Sequence, residues 1–236
     1  MRIFIHGSLS DLDVALGVGI VIGINNRVNA PELDKIINDV VSEVKNTISL
    51  ESLRDDELIR LYRNFYWRLG IDPTKQRPAQ EALIRRILRG DGLPRINPMV
   101  DIGNAVSVKY KVPVGLYDIR KIGQVDYIVL RRAADGELFT PLGSPKMTLT
   151  RNQIVLATSD GKILHVYPYR DSELTKVDEF TTDVLIVVAG ISGVSDETLL
   201  GALAEIESLS ETLLNGKVLI HGIVRSNKSL EFNLRF

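Results

Sequence analysis

The chain has 236 residues, of which 44% are hydrophobic and 25% are charged, and its formal net charge is −1. A chain of this length and apolar content can bury a large core, and its near-neutral charge gives it no general attraction to nucleic acid or to a membrane surface. The absence of cysteine excludes disulfides, thiolate zinc sites and cysteine nucleophiles and fits the reducing cytoplasm. No apolar run approaches the roughly 20 residues of a membrane span, and no signal-peptide pattern is visible. We therefore expect a cytoplasmic protein without a membrane partner.

The first third of the chain predicts one strand and three helices. Val14 to Ile24 is rich in β-branched residues and glycine, which is typical of a strand covered on both faces. From Pro31, which suits a first helical turn, hydrophobic residues recur at helical spacing. A second helix is predicted from Ser52 to about Leu69, and a third from Pro78 to Arg89.

The most unusual segment covers residues 94–118, which predict a short helix after Pro98 that Pro113 prevents from extending. Short polar side chains recur along it at intervals of three or four residues: Asn97, Asp101, Asn104 and Ser107. Each would cost ~1–3 kcal/mol if it were buried without a partner. These side chains therefore either brace one another and the backbone, or they bind a ligand.

The remainder of the chain predicts seven strands, with one long helix, Asp196 to Leu214, between the fifth and the sixth. The predicted strands are Val125–Arg131, Glu137–Thr140, Gln153–Ala157, Ile163–Tyr169, Val184–Ala189, Lys217–Val224 and Leu230–Leu234. No repeat or low-complexity linker interrupts them. The pattern predicts a single α+β domain over residues 1–236, with mixed or antiparallel sheets and flanking helices.

Charge is segregated along the chain. Residues 60–95 contain nine basic and three acidic residues, a net charge of +6, and residues 171–215 contain ten acidic residues and one lysine, a net charge of −9. The basic segment also contains four aromatic residues: Tyr62, Phe65, Tyr66 and Trp67. This mixture either binds phosphates and stacks on bases or is a solvated helix face with core aromatics.

Several common chemistries have no support in the sequence. The three histidines, His6, His165 and His221, are far apart and show no metal-ligand spacing. Glycines around Gly19 have the wrong spacing for a dinucleotide fingerprint, and no serine-hydrolase or phosphate-loop motif occurs. We expect neither a metal nor a cofactor.

Motifs in a fixed order across roughly residues 55–190 carry a resemblance to a known family. They are Arg77-Pro78, Ala82-Leu83, Arg86, Gly92-Leu93-Pro94, Arg131-Arg132-Ala133, Gly136-Glu137 and Thr181-Thr182-Asp183-Val184. Together with the polar helix they resemble the tRNA-binding and editing domain (B3/B4-type) of the phenylalanyl-tRNA synthetase beta subunit, and above all its free-standing relatives. In those synthetases the domain hydrolyses wrongly charged tRNA, chiefly tRNA carrying tyrosine. The resemblance implies the same α+β fold, with the family-like core at about residues 55–190.

The resemblance also implies an editing pocket along the polar helix. The family pattern N-P-x-V-D-x-T-N, followed by P-x-H-A-F-D, is kept at Asn97, Pro98, Val100, Asp101, Asn104, Pro113 and Asp118. Glu137 occupies the position of the glutamate that recognises the tyrosine hydroxyl. The threonine of the pattern is Gly103 here and the histidine is Gly115, while Tyr167–Ser172 replaces a glycine-rich pocket strand. These departures indicate a differently shaped, more charged pocket.

The resulting hypothesis is a deacylase that acts in trans on mischarged aminoacyl-tRNA, without a nucleophilic side chain. Asn104 and Ser107 would orient the water or the ester, Glu137 or Asp171 would bind the substrate ammonium, and Arg170 would contact phosphate or the oxyanion. The tRNA would be held by basic residues of the 60–95 segment: Arg77, Arg85, Arg86 and Arg89.

Four alternatives remain open at the level of sequence. Asp101 and Asn104 can simply cap and brace the backbone, and Arg170 and Asp171 can pair only with each other at the surface. The pocket can also serve a binding module, for tRNA or for a small amino-acid-like ligand, without catalysis. Finally, the acidic segment 171–215 can dock on a basic protein in a purely structural role.

Overall fold

The computed structural model describes residues 1–226 and 228–232. The α-helices are α1 (Pro31–Thr47), α2 (Glu57–Arg68), α3 (Ala79–Leu88), α4 (Pro98–Tyr110), α5 (Ile119–Ile122) and α6 (Asp196–Leu214). The strands are β1 (Arg2–Ile5), β2 (Val14–Ile22), β3 (Val114–Asp118), β4 (Tyr127–Arg132), β5 (Leu138–Phe139), β6 (Met147–Thr148), β7 (Ile154–Thr158), β8 (Ile163–Tyr167), β9 (Arg170–Asp171), β10 (Val184–Ile191), β11 (Lys217–Val224) and β12 (Leu230–Glu231). The predicted α+β class is confirmed.

An antiparallel sheet with the order β11-β2-β10-β3 forms the centre of the fold. Its inner strands, β2 and β10, are buried along almost their whole length, as their continuous apolar sequences predict. Helix α6 packs against β2, β10 and β11. Gly19 allows this close approach, because a Cβ there would lie 2.6 Å from Oε1 of Glu207 on α6.

A second sheet has the order β12-β1-β4-β7-β8-β9. Its β1 and β4 run parallel, and its other neighbouring strands run antiparallel. The short pair β5 and β6 joins it through a separate small hydrophobic cluster around Phe139. The predicted strand Leu230–Leu234 is observed over Leu230–Glu231, and residues 233 and 234 lie outside the described residues.

The helices begin where the sequence supplies caps. Asn97 caps α4 and Ser195 caps α6, each by accepting a backbone N–H of the first turn. The helix predicted from Ser52 to Leu69 is divided in the structure, because Asp56 caps a new helix by accepting the Ile59 N–H at 3.2 Å. A 3-10 turn, Ser52–Asp55, precedes that cap.

Four strands, β1, β3, β6 and β9, were not predicted from the sequence, and β1 and β3 illustrate the reason. The β1 strand has four residues and pairs in parallel with β4, more than 120 positions away. The β3 strand contains Gly115, a residue that weakens strand propensity, and forms the edge of the central sheet next to β10. In both cases the pairing depends on distant residues, so local pattern gives little signal.

No helix in the described part of the chain is long and apolar enough to cross a membrane.

Candidate functional site

A cleft of about 710 Å³ opens between α4, β3 and the chain from β9 to residue 180. Helix α4 contributes Val100, Gly103 and Asn104, and β3 contributes Val114 and Leu116. Asp171 of β9 also lines it. We call this space the α4 cleft.

The N-terminus of α4 is fixed in the cleft wall by two paired asparagines. The Asn97 side-chain oxygen accepts the N–H of Val100 at 3.1 Å and the amide of Asn26 at 3.0 Å. Asn26 in turn accepts the N–H of Met99 at 2.8 Å. Both side chains are buried, so the asparagine at the start of the motif positions the helix.

Two further polar residues of α4 also serve the scaffold. The buried Asp101 accepts the Ile96 N–H and the Arg95 Nε, each at 2.8 Å. Ser107 is buried and donates its hydroxyl to the Val112 carbonyl at 2.7 Å. Ser107 does not line the α4 cleft, so the structure does not place it where the sequence hypothesis required it.

Asn104 is the polar side chain of α4 that lines the cleft with its amide unused. It is half-buried, and no hydrogen bond joins its side chain to another described residue. The neighbouring Gly103 allows Leu116 to pack closely against α4, since a Cβ there would lie 2.7 Å from Cδ1 of Leu116. The amide of Asn104 is therefore available to a ligand.

Asp171 lines the same cleft and is tied to two residues behind the wall. Its Oδ1 lies 3.0 Å from the Tyr117 hydroxyl and 3.2 Å from Nδ1 of His165, and these last two atoms are 2.6 Å apart. Tyr117 and His165 are buried. Sequence reasoning did not select either of them, because they reside on different strands and match no motif.

Glu137 and Arg170 do not line the α4 cleft. The Glu137 carboxylate accepts both guanidinium nitrogens of Arg131, at 2.9 and 2.6 Å, and the Ala134 N–H at 2.9 Å. The hydrogen bond from Arg131 lowers the pKa of Glu137. Arg170 donates to the Ser144 hydroxyl and lies over the Tyr169 ring. Arg170 does not pair with Asp171. Because neither Glu137 nor Arg170 lines the cleft that Asn104 lines, the structure does not bring these three proposed site residues together.

The charges that face the cleft are mostly negative. Four carboxylates line it, at Asp171, Glu173, Asp178 and Glu179, against one lysine, Lys176. Two of the four have lysine partners: Glu173 pairs with Lys176, and Asp178 pairs with Lys121. These lysines lower the pKa of Glu173 and of Asp178 through hydrogen bonds. The net field in the cleft favours a cationic group.

The rim of the cleft is apolar and exposed. Ile96, Leu142 and Phe180 expose 61%, 40% and 65% of their surfaces, and all three line the cleft. The Arg27 guanidinium lies 5.3 Å from the centroid of the Phe180 ring. Apolar surface concentrated around one opening is typical of a ligand site.

The predicted tRNA-binding arginines divide into two groups. Arg86 and Arg89 are exposed, Arg77 is half-buried, and none of the three forms an ion pair with a described residue. Arg85 instead lies 2.7 Å from the fully buried carboxylate of Glu81, which also accepts Arg63 at 2.9 Å. Arg85 is therefore part of the scaffold.

Within the described residues, no group of three or more histidines or carboxylates could hold a metal ion.

Comparison with known proteins gives a consistent set of matches. The family model described as the B3/4 domain matches residues 61–199. The phenylalanine-tRNA ligase beta subunit of Nitrobacter winogradskyi is 30% identical over 182 residues, which are 77% of this chain and 20% of that protein. The same subunit from Carboxydothermus hydrogenoformans is 29% identical over 187 residues, or 79% and 22% of the two chains.

Among solved structures, an N-terminal fragment of the phenylalanyl-tRNA synthetase beta subunit from Pyrococcus horikoshii matches with a TM-score of 0.49 and 20% identity. That match covers 92% of this chain and 49% of the fragment. The chain spans about a fifth of the length of the curated relatives that it matches.

Proposed function

This chain belongs to the B3/4 domain family, and from that premise we propose that it binds tRNA and hydrolyses the ester of mischarged aminoacyl-tRNA in the α4 cleft. The observation that carries the proposal is an unused amide, Asn104, and a carboxylate, Asp171, on two walls of one cleft. The matched relatives are named as ligases that act on tRNA, which supports tRNA as the partner.

Hydrolysis of the ester needs a positioned water, a donor for the oxyanion and a group that holds the amino acid. Water adds to the carbonyl carbon, the bond to the ribose oxygen breaks, and that oxygen takes up a proton. The vicinal ribose hydroxyl can assist this transfer because it is held beside the reacting carbonyl. In the proposal the Asn104 amide donates to the oxyanion, a contact typically worth about 10²–10³ in rate, and Asp171 holds the ammonium.

The rim supplies a place for the terminal base. Phe180 presents an exposed ring backed by the Arg27 guanidinium, and stacking of a base on an aromatic ring is worth about 1–3 kcal/mol. We assign the adenine at the tRNA 3′ end to this ring. In the proposal the ester that follows it in the substrate then reaches Asn104, which lines the same cleft.

Phosphates are assigned to a different surface. Arg77, Arg86 and Arg89 do not line the acidic α4 cleft, and they have no acidic partner among the described residues. Phosphate contacts set affinity without reading sequence. In the proposal these arginines hold the tRNA backbone and the cleft selects the aminoacyl group.

The test is ester hydrolysis on a panel of mischarged tRNAs with Asn104→Ala. We expect the rate on the preferred substrate to fall by about 10²-fold or more, with tRNA affinity in a gel shift changed by less than about twofold, because phosphate contacts dominate binding. Asn38→Ala, on the exposed face of α1, is the matched control and should change neither quantity. Equal losses of rate and affinity in Asn104→Ala would assign Asn104 to the scaffold.

One observation favours a second candidate, a binding module without catalysis. The Ser107 hydroxyl is committed to Val112, and no serine, cysteine or histidine is among the described residues that line the cleft. Such a module would bind aminoacyl-tRNA or a small amino-acid-like ligand in the same cleft. Saturable binding with no ester loss on any tRNA of the panel would select this candidate.

A further inference from the structure

The carboxylate of Asp171 has one oxygen occupied and one open. Tyr117 and His165 both lie against Oδ1, whereas no hydrogen bond joins Oδ2 to another described residue. Oδ2 is not among the buried unpartnered atoms, 29% of the Asp171 side chain is exposed, and Asp171 lines the cleft. Asp171 therefore presents a single free acceptor to a ligand.

Tyr117, His165 and Asp171 form a hydrogen-bonded cluster that ends at the Asp171 carboxylate. Nε2 of His165 is buried without a partner, and an orphaned N–H costs more than an orphaned acceptor. We therefore expect the tautomer with its proton on Nδ1, which would donate to the Tyr117 oxygen 2.6 Å away. Burial, together with the Asp171 charge, raises the pKa of Tyr117, so its hydroxyl stays protonated and donates to Oδ1.

The cluster can form because residue 115 has no side chain. A Cβ on Gly115 would lie 2.0 Å from the Tyr117 hydroxyl and 3.2 Å from Oδ1 of Asp171. Tyr117 is fully buried, so its ring has no room to move aside. A side chain at position 115 and the hydrogen bond from Tyr117 to Asp171 are mutually exclusive.

We propose that Oδ2 of Asp171 is a subsite for a primary ammonium group, oriented by Tyr117 and His165 as positioning residues. A guanidinium prefers both oxygens of a carboxylate, and one of these is already occupied. A divalent cation needs more oxygen ligands than this wall supplies. A primary ammonium can bind one free carboxylate oxygen. The inference rests on the proposed function, in which that ammonium is the α-amino group of the aminoacyl ester.

The test compares two stable probes by isothermal titration calorimetry. One is 3′-alanylamino-3′-deoxyadenosine, in which an amide replaces the ester, and the other is its N-acetylated form, which lacks the ammonium. We expect the wild type to bind the free amine about tenfold or more tightly than the acetylated probe, as for a hydrogen bond to a charged group. Asp171→Asn should reduce this preference to near one, and Asp39→Asn on α1 should leave it unchanged.

The positioning residues are tested through the same preference. Tyr117→Phe removes only the hydroxyl and should lower the preference severalfold, and His165→Leu should do the same. His165→Asn, which can restore a donor near Nδ1, should recover part of it. In two-bond ¹H–¹⁵N spectra, with the wild-type His165 signals identified by their loss in His165→Asn, the proton should appear on Nδ1.

Equal affinity for the two probes, no binding of either probe, or a proton on Nε2 of His165 would overturn the inference. The outcome for the proposed function is read separately, by ester hydrolysis of mischarged tRNA in the same preparation. Hydrolysis without an amine preference would remove the ammonium subsite and keep the deacylase. Loss of both the hydrolysis and the amine preference would remove the proposed deacylase and the ammonium subsite together.

Discussion

Substitution by alanine should affect tRNA binding at Arg86 and Arg89 and protein stability at Arg85. Arg86 and Arg89 are exposed without a described ion-pair partner, whereas Arg85 pairs with Glu81, whose side chain is fully buried. We expect Arg86→Ala and Arg89→Ala to weaken tRNA binding at constant stability. Arg85→Ala should lower stability and leave the salt dependence of binding unchanged.

The size of each effect follows from the contacts. Each phosphate contact contributes about 0.7–0.9 to the slope of log affinity against log salt, so the double variant should flatten that slope by roughly 1.4–1.8. In Arg85→Ala, Glu81 keeps only Arg63, and its Oε2 already has no partner among the described residues. Weakening a buried charged hydrogen-bond network costs about 1–3 kcal/mol, and each kcal/mol shifts Tm by about 2–4 °C in a chain of this size.

The assay is a gel-shift titration at four salt concentrations from 50 to 200 mM, with a thermal melt of every variant. Arg54→Ala is the matched control, because Arg54 is exposed and lies in the 3-10 turn before α2. A folded Arg86→Ala/Arg89→Ala variant with the wild-type slope would refute the assignment of phosphates to this surface. A wild type that does not bind tRNA even at 50 mM salt would remove tRNA from the proposal.

Two other substitutions test the rim and the buried ion pair. Phe180→Ala should weaken binding of the alanylamino-adenosine probe by about tenfold, because stacking is worth roughly 1–3 kcal/mol, and should leave Tm unchanged because the ring is exposed; equal probe affinity would show that the base lies elsewhere. Glu137→Gln should lower stability at pH 7 without changing ester hydrolysis, since Arg131 lowers the pKa of Glu137 from its ordinary value of 4.5 and this stabilisation is present above that value. The difference between wild type and Glu137→Gln should disappear as the pH falls through the lower pKa of the folded state, and melts from pH 3 to 8 that show a constant difference would contradict that origin.

The helices could be predicted from sequence because their signals are local. The stripe that begins at Leu33 is buried against the core in α1, and α4 begins at the predicted Pro98. The polar pattern of α4 was harder to interpret, because Asn97, Asp101, Asn104 and Ser107 share a spacing and differ in direction. Asn97 is held by Asn26, 71 positions away, whereas Asp101 and Ser107 bond to Ile96 and Val112 near the two ends of the helix. The common spacing encodes none of these partners, so it cannot separate the cleft-lining Asn104 from the bracing residues.

The cluster around Asp171 was inaccessible to sequence reasoning for a different physical reason. Tyr117 and His165 are 48 positions apart, and they meet in the core although β3 and β8 belong to different sheets. The sequence did contain one signal, Gly115, which appears as the loss of the histidine expected from the family resemblance. In the structure the missing side chain creates the space that the Tyr117 hydroxyl occupies. A departure from a motif can thus mark a rebuilt site as well as a lost one.

The charge segregation of the chain acquires a physical meaning from the cleft. The acidic segment 171–215 begins at Asp171 and supplies all four carboxylates of the cleft, and two of these, Asp171 and Glu179, have no lysine or arginine partner among the described residues. A phosphate in that field would be repelled, whereas an ammonium would be attracted. A polyanionic tRNA can therefore present its aminoacyl end to the cleft only if its phosphates lie elsewhere, and the basic segment 60–95 offers Arg86 and Arg89 outside the cleft for that purpose. In the proposal the opposite signs of the two segments orient the tRNA, because the acidic cleft repels the phosphates that the basic segment binds.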